Sequence, residues 1–181
     1  MWGPRIDGRV VRMRPIAEAE LPLLIDWTAD AEVQRFTSIR HAWAPGEVKE
    51  RWENAGTDPL AFHWGLEWGG RLVGQSAIQR INWQARNGWT ATMIGDRSAW
   101  RQGIGTESMA LRTEYAFRQL NLHKLKAAYA DGNAGTAEAL RRTGYREVAR
   151  LTEHLYRHGR WFDEIWTEVL RRDWEQEHPL T

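Results

Sequence analysis

The spacing of apolar and polar positions changes several times along this chain, and each change marks an element. "GRVVRMRPI" alternates and ends at Pro15, so Arg9 to Arg14 is predicted as a first strand. "EAELPLLIDWTAD" then places Leu21, Leu24, Ile25 and Thr28 near helical spacing, with Pro22 tolerable in the first turn. A short helix is expected in "DAEVQRFT", after Asp30. A third is expected in "APGEVKERWENAG", opening near Pro45 and stopping at Gly56. The period then falls to two. "AFHWGLEW", a turn at Gly69 and Gly70, and "RLVGQSAIQRINW" read as a hairpin, with a further strand in "GWTATMIGD". A helix is predicted from Gly103 to Leu120. One of its stripes is Ile104, Ser108, Leu111 and Tyr115, and another is Met109, Ala116 and Leu120, so much of its circumference should be covered. "LKAAYAD" reads as a short strand and "NAGTAEALRRTGY" as a short helix stopped by Gly144. "YREVARLTEHLYRHGRWFDEIWTEVLRRDW" reads as two long strands joined by a turn at His158–Gly159.

No linker, repeat or low-complexity segment divides the chain. The expected fold is α+β, a single domain over residues 1–181 with a mixed, mostly antiparallel sheet of about seven strands and flanking helices. The length, 181 residues, is enough for one sizeable core. Lys plus Arg exceed Asp plus Glu by 25 − 24 = +1, so no basic excess asks for nucleic acid. There is no cysteine, which removes disulfides, thiolate metal sites and a cysteine nucleophile. No stretch approaches the roughly 20 apolar residues of a membrane span, and "MWGPRIDGRV" lacks the apolar core of a signal peptide. A cytoplasmic location is expected.

The chain holds 12 tryptophans. They serve either as ordinary core and surface or as the wall of an acceptor pocket built from Trp27, Trp43, Trp52, Trp64, Trp83 and Trp89. His154 and His158 are four apart, but on a strand that spacing is not the helical pair of a zinc site. No metal is expected.

The candidate chemistry sits in "WRQGIGTE", where Gly103 and Gly105 stand between a strand and a long helix. The first amides of a helix have no intrahelical acceptor, and the dipole adds positive potential. Glycines let a phosphate approach such amides closely; Thr106 adds a hydroxyl and Arg101 a charge. The same residues also suit a tight turn with no ligand. The GxGxxG fingerprint is not met, because Ser108 falls at its third small position, and no Gly-Lys-Ser/Thr follows. Nicotinamide dinucleotides and ATP are poor readings.

Residues 87–145 as a block resemble the GNAT superfamily of acyl-CoA-dependent N-acetyltransferases, and more closely its RimJ/RimL-type branch. The family's pyrophosphate loop reads Arg/Gln-x-x-Gly-x-Gly/Ala, and Trp100 to Gly105 fills it with Trp100 at the first position. "LNLHKLKAAYADGNAGTAEALRRTGY" is similar to the branch's strand entry, Asn-led helix and closing Gly-aromatic pair. "VRMRPIAEAELPLLIDWTADAEVQRFT" is similar to its first strand and helices, and "HGRWFDEIW", with Asp163, to its last hairpin turn.

This resemblance implies a central parallel pair that splays apart, here about Thr90 to Ile94 and Leu125 to Ala130, with acyl-CoA in the V. It implies that the backbone of Met93 or Ile94 bonds the pantetheine arm and aims an N–H at the thioester oxygen. It places the pyrophosphate on the amides of Gln102, Gly103, Ile104, Gly105 and Thr106, and a nucleotide phosphate near Arg142. Asn133 matches the family asparagine near the cofactor's sulfur; it equally suits the N-cap of its helix. The implied reaction is direct attack of a neutral amine on acetyl-CoA, with proton removal by a base or water and an amide donor for the oxyanion. The acceptor would be a small-molecule amine or a peptide N-terminus, and a homodimer is plausible from the family.

Two positions depart from the pattern. Leu140 stands where many members carry a tyrosine acid, and Trp89 where many carry a glutamate base. Tyr145 is the closing aromatic, expected in the core. Glu153 is the favoured base on this reading, with Glu67, His63 and His154 as further candidates; His123 reads as structural. The missing acid and base also leave an alternative, a module that binds acyl-CoA or a metabolite without turnover.

Overall fold

The period-two stretch between residues 61 and 94 folds into three antiparallel strands, β3 (Phe62–Trp68), β4 (Arg71–Asn82) and β5 (Asn87–Ile94), in a computed structural model that describes residues 1–37, 39, 41–157 and 159–179. Before them come β1 (Ile6–Asp7), β2 (Arg12–Arg14), α1 (Leu21–Ala29), α2 (Ala31–Gln34) and α3 (Pro45–Thr57). After them come α4 (Ile104–Arg118), β6 (Lys124–Ala130), α5 (Ala134–Arg142), β7 (Arg146–Arg157), β8 (Arg160–Leu170) and α6 (Arg171–Glu177). One sheet holds eight strands in the order β1-β2-β3-β4-β5-β6-β8-β7. Its neighbours are antiparallel except for β5 and β6.

Two expectations are corrected. The first strand is not continuous from Arg9 to Arg14. Gly8 donates its N–H to the Val11 carbonyl, 2.9 Å away, and this turn divides the segment into β1 and β2. The division raises the strand count from about seven to eight. The cause is distant in sequence: the Glu107 carboxylate accepts the N–H groups of Arg9, Val10 and Val11 at 2.9, 2.7 and 2.8 Å. A Cβ on Gly8 would lie 2.6 Å from that carboxylate, so only glycine fits there. The last strand also stops sooner than its pattern implied. Residues from Arg171 turn into α6, which buries Trp174 against Phe117 with ring centroids 5.6 Å apart. The expected hairpin turn keeps Gly159, at φ 77°, in the left-handed region; His158 lies outside the described residues.

Successive residues of a strand face opposite sides, and the core divides accordingly. Leu72 packs with Leu24, Trp27, Val33 and Val48 beneath α1 to α3. Its neighbour Val73 joins Trp64, Ile104, Phe117, Leu125 and Leu140 on the face covered by α4 and α5. The tryptophans occur both in the core and on the surface: Trp64 and Trp27 are buried, while Trp83 and Trp161 are exposed. No helix among the described residues is long and apolar enough to cross a membrane.

Arg112 on α4 is fully buried, which the stripe pattern did not foresee. Its Nη1 donates to the Ser76 hydroxyl, the Ala91 carbonyl and the Thr92 hydroxyl at 2.9, 2.8 and 2.7 Å, and its Nε has no partner among the described residues. Burial lowers its pKa. The Ser76 and Thr92 hydroxyls are 3.3 Å apart and can satisfy each other. Arg112→Met is therefore expected to hold stability within about 1 kcal/mol of the parent, because it removes a costly buried charge and keeps the volume. Arg112→Ala, which leaves a cavity, should lose about 2–4 kcal/mol. Thermal denaturation of both variants checks this.

Candidate active site

The parallel pair is joined for only three residues, Asn87, Gly88 and Trp89 against Lys124, Leu125 and Lys126. Beyond Trp89, β5 stays with β4 as far as Ile94, and beyond Lys126, β6 stays with β8 as far as Ala130. The two strands thus part, and the edges of 90–94 and 127–130 that face one another lack a strand partner. The split begins at Ala127, two residues later than expected on β6. At its closed end the Thr90 hydroxyl donates to the Lys126 carbonyl, 3.1 Å away. Unpaired backbone edges of this kind can take up an extended ligand as an added strand.

A bulge ends β5. The N–H groups of Gly95 and Asp96 both donate to the Val73 carbonyl, at 2.9 and 3.0 Å. Such a bulge re-aims the chain, here towards the loop before α4. Trp100 opens that loop, and its Nε1 donates to the Ile94 carbonyl at 2.9 Å. The Ile94 carbonyl is therefore engaged. Met93 packs beneath α1 with the second core cluster.

Arg101 (φ 63°) and Gly103 (φ 81°) are both left-handed, and Gly103 is the N-cap of α4 without a capping side chain. The first intrahelical bond is Glu107 N–H to Gly103 carbonyl, 2.9 Å. The amides of Ile104, Gly105 and Thr106 precede it and have no acceptor among the described residues. The Ile104 side chain is core, 1% exposed, so only its amide is available. Arg101 and Gln102 are exposed. The two glycines differ in kind. Gly103 is required by its backbone angle. Gly105 is helical, and a Cβ there would meet the protein only at an ordinary 3.9 Å from Ile94. Nothing within the fold demands a glycine at 105.

Asn133 caps α5, its Oδ1 accepting the Thr136 N–H at 3.2 Å. Arg142 is not free. Its Nε donates to Glu138 at 2.6 Å, Arg141 donates to the same carboxylate at 2.8 Å, and the pair holds the Glu138 pKa down to about 2. Leu140 is buried core, and the Tyr145 hydroxyl is 3.3 Å from Thr113 in the interior, so neither position offers an acid to the cleft.

The acid–base candidates are scattered. Glu67 on β3 bonds Arg12 and Arg14 at 2.9 and 2.6 Å. His63, also on β3, lies 6.2 Å from the Trp2 ring, and burial lowers its pKa. Both are removed from the cleft by β4. Glu153 lies in a bulge of β7, exposed, with φ 49°; its own N–H donates to the Asp163 carboxylate at 3.0 Å. That bulge breaks the alternation from which its direction was read. Asp163 is also the residue whose carbonyl accepts the Asp131 N–H, 2.9 Å, directly after β6, so Glu153 stands near the open end of the cleft. His154 is 3.6 Å from Glu164. Trp89 meets Trp166 edge to face at 5.0 Å, with the Lys126 ammonium 5.1 Å from the Trp89 ring. Among the described residues no group of three His, Asp or Glu could hold a metal ion.

A split parallel pair, a bulge and an uncapped glycine-opened helix in this order define an acyl-CoA-type transferase architecture. The sequence profile described as Acetyltransferase (GNAT) domain matches residues 11–146, and the chain belongs to that family. It is similar to "Probable N-acetyltransferase YjcK" of Bacillus subtilis, 28% identical over 109 residues, 59% of each protein. It is similar also to YdaF of the same species, whose name assigns it provisionally to ribosomal N-acetylation, 27% identical over 130 residues, 70% of this chain and 68% of YdaF. The matched region thus spans under two thirds of YjcK. A spermidine N-acetyltransferase from Vibrio cholerae, solved with CoA and spermine, shares the fold with a TM-score of 0.85 at 18% identity, covering 92% of this chain and 99% of that one.

Proposed function

We propose that this protein transfers the acetyl group of acetyl-CoA to a primary amine, of a small molecule or a peptide N-terminus, and that it lies nearest the RimJ/RimL-type branch. The observation that carries the proposal is the pairing of a split β5–β6 edge with three unsatisfied amides at a glycine that the fold itself does not need. On this reading the amides of Gly103 to Thr106, with Gln102 and Arg101 beside them, hold the diphosphate. The free edge of β5 around Met93 holds the pantetheine arm, and the Ile94 N–H, which points away from β4, faces the thioester oxygen. Asn133 adds a polar contact from its cap position. Arg142 reaches a nucleotide phosphate only by leaving Glu138.

Acetyl-CoA supplies the acetyl carbon as a thioester; the acceptor nitrogen bonds to it, the C–S bond breaks, and the sulfur departs as a thiol with a proton. The acceptor must first lose a proton. Glu153, exposed near the mouth and in no ion pair among the described residues, is the proposed proton acceptor, reached directly or through water. With Leu140 and Tyr145 in the core, solvent delivers the proton to sulfur.

Two measurements test this. CoA at about 100 times its Kd should add about 2.7 kcal/mol of stability, raising the melting temperature by about 5–10 °C. Thiol release from acetyl-CoA should then depend on an added amine. Stabilisation without release on any amine or N-terminal peptide would favour the non-catalytic binding module, and no stabilisation would end acetyl transfer and acyl-CoA binding alike.

A further inference from the structure

A cavity of about 360 Å³ is lined by Ala31, Glu32, Arg35, Phe36, Arg160 and Phe162. Its two walls are fixed to the two splayed strands. The α2 wall follows α1, whose Trp27 packs so closely on Gly95 at the end of β5 that a Cβ there would overlap the indole at 2.0 Å. Asp30, between the helices, lies 3.6 Å from Arg97 just beyond the same bulge. The β8 wall is fixed to β6, because Asp163, next to Phe162, accepts the Asp131 N–H. The cavity therefore spans the mouth of the split, on the sheet face opposite α4 and its amides. On the proposed function this is where an acceptor would enter.

Its lining carries two guanidinium groups, Arg35 and Arg160, against one carboxylate, Glu32. The Arg160 guanidinium lies 4.3 Å from the Phe162 ring and meets no carboxylate among the described residues. Arg35 lies 5.3 Å from the Phe36 ring and touches Glu32 only at 3.9 Å. Deeper, at the closed end of the split and on the same face, the half-buried Lys126 ammonium rests on Trp89 and forms no ion pair among the described residues. The carboxylates around it are already engaged: Glu168 with Lys124 at 2.7 Å, and Glu164 with the Trp166 N–H at 2.8 Å and with His154. Stacking on a phenyl ring withdraws one side of a guanidinium from water and leaves its edge, a planar fork matched to a carboxylate. A polyamine would meet like charge at Lys126 and at the two mouth arginines, with Glu32 the one carboxylate lining the cavity.

We propose that the acceptor is an amine that also carries a carboxylate, held by Arg35 and Arg160, and that these two residues determine specificity. An amino acid and the N-terminus of an acidic peptide share that chemistry. The inference rests on the acetyl-transfer reading and narrows its acceptor.

The test compares thiol release from acetyl-CoA with L-phenylalanine, L-phenylalanine amide, Ser-Glu amide, Ser-Gln amide and spermidine. At least one carboxylate-bearing acceptor should exceed its amide partner by about 10-fold or more in kcat/KM, the scale of one bidentate charge-assisted contact. Preference within the phenylalanine pair points to an amino acid and within the peptide pair to an acidic N-terminus. Arg35→Gln and Arg160→Gln should abolish the preference through KM, and the rise in melting temperature that CoA gives each variant serves as the check on folding. Equal rates within both pairs, or spermidine as the best acceptor, would overturn the proposal. So would failure of the whole panel while CoA still raises the melting temperature; loss of that CoA shift would instead overturn acetyl transfer itself.

Discussion

Gly105→Ala leaves the unliganded protein as stable as the parent or slightly more so, and weakens CoA binding about 10- to 100-fold. The two halves of this outcome have separate causes. In the apoprotein the new methyl meets only Ile94 at ordinary contact distance, and the residue is helical, where alanine is preferred over glycine by about 0.5–1 kcal/mol. A methyl beside three unsatisfied amides, however, holds a diphosphate away from them and forfeits about 1.5–3 kcal/mol of charge-assisted hydrogen bonding. Thermal melting without ligand and calorimetric titration with CoA read the two halves independently. Gly103→Ala serves as the contrast, since φ of 81° makes it costly to the fold before any ligand is added. Unchanged CoA affinity in Gly105→Ala would remove the loop from the binding site.

Glu107→Ala lowers the melting temperature at pH 7 by about 5–10 °C, the equivalent of about 2–3 kcal/mol in a chain of this size. One carboxylate, 17% exposed, satisfies three successive amides that otherwise lose their acceptor. Burial raises the Glu107 pKa, but the bonds from Val11, Val10 and Arg9, with the Arg9 charge, outweigh it, and the net shift is below the ordinary 4.5. A carboxyl group depressed in the folded state stabilises fully above its unfolded pKa and loses that contribution as pH falls through the folded value. The gap between parent and variant should thus be constant from neutral pH down to about 4.5 and narrow below it. A gap independent of pH would mean that packing, not charge, holds the turn. Because Glu107 follows the uncapped amides by one residue, its loss should also loosen the α4 terminus and raise the Kd for CoA.

Much of the local structure was legible. Period-two patterning placed β3, β4 and β5, Gly144 marked the end of α5, and the WRQGIGTE segment was located as a strand-to-helix loop. Each depends on side-chain size and backbone freedom within a few residues. The first-strand error had no local cure, because the group that bends residues 8–11 lies 98 positions from Arg9. The end of β8 misled for a similar reason: "RRDW" suits a strand or a helix equally until Phe117 offers Trp174 a surface. Arg112 was invisible as core, since charge in a helical stripe ordinarily signals solvent.

The sequence by itself determined most of the order of elements, the absence of cysteine, and the place of the glycine-bearing loop before α4. Only the tertiary structure decided that β5 and β6 part after three paired residues. It alone bound Arg142 to Glu138, put Glu153 on a bulge, and brought Arg35 and Arg160 to one mouth. Periodicity and turn chemistry are set by neighbours along the chain, whereas a site's charge and shape depend on which distant segments share one desolvated space.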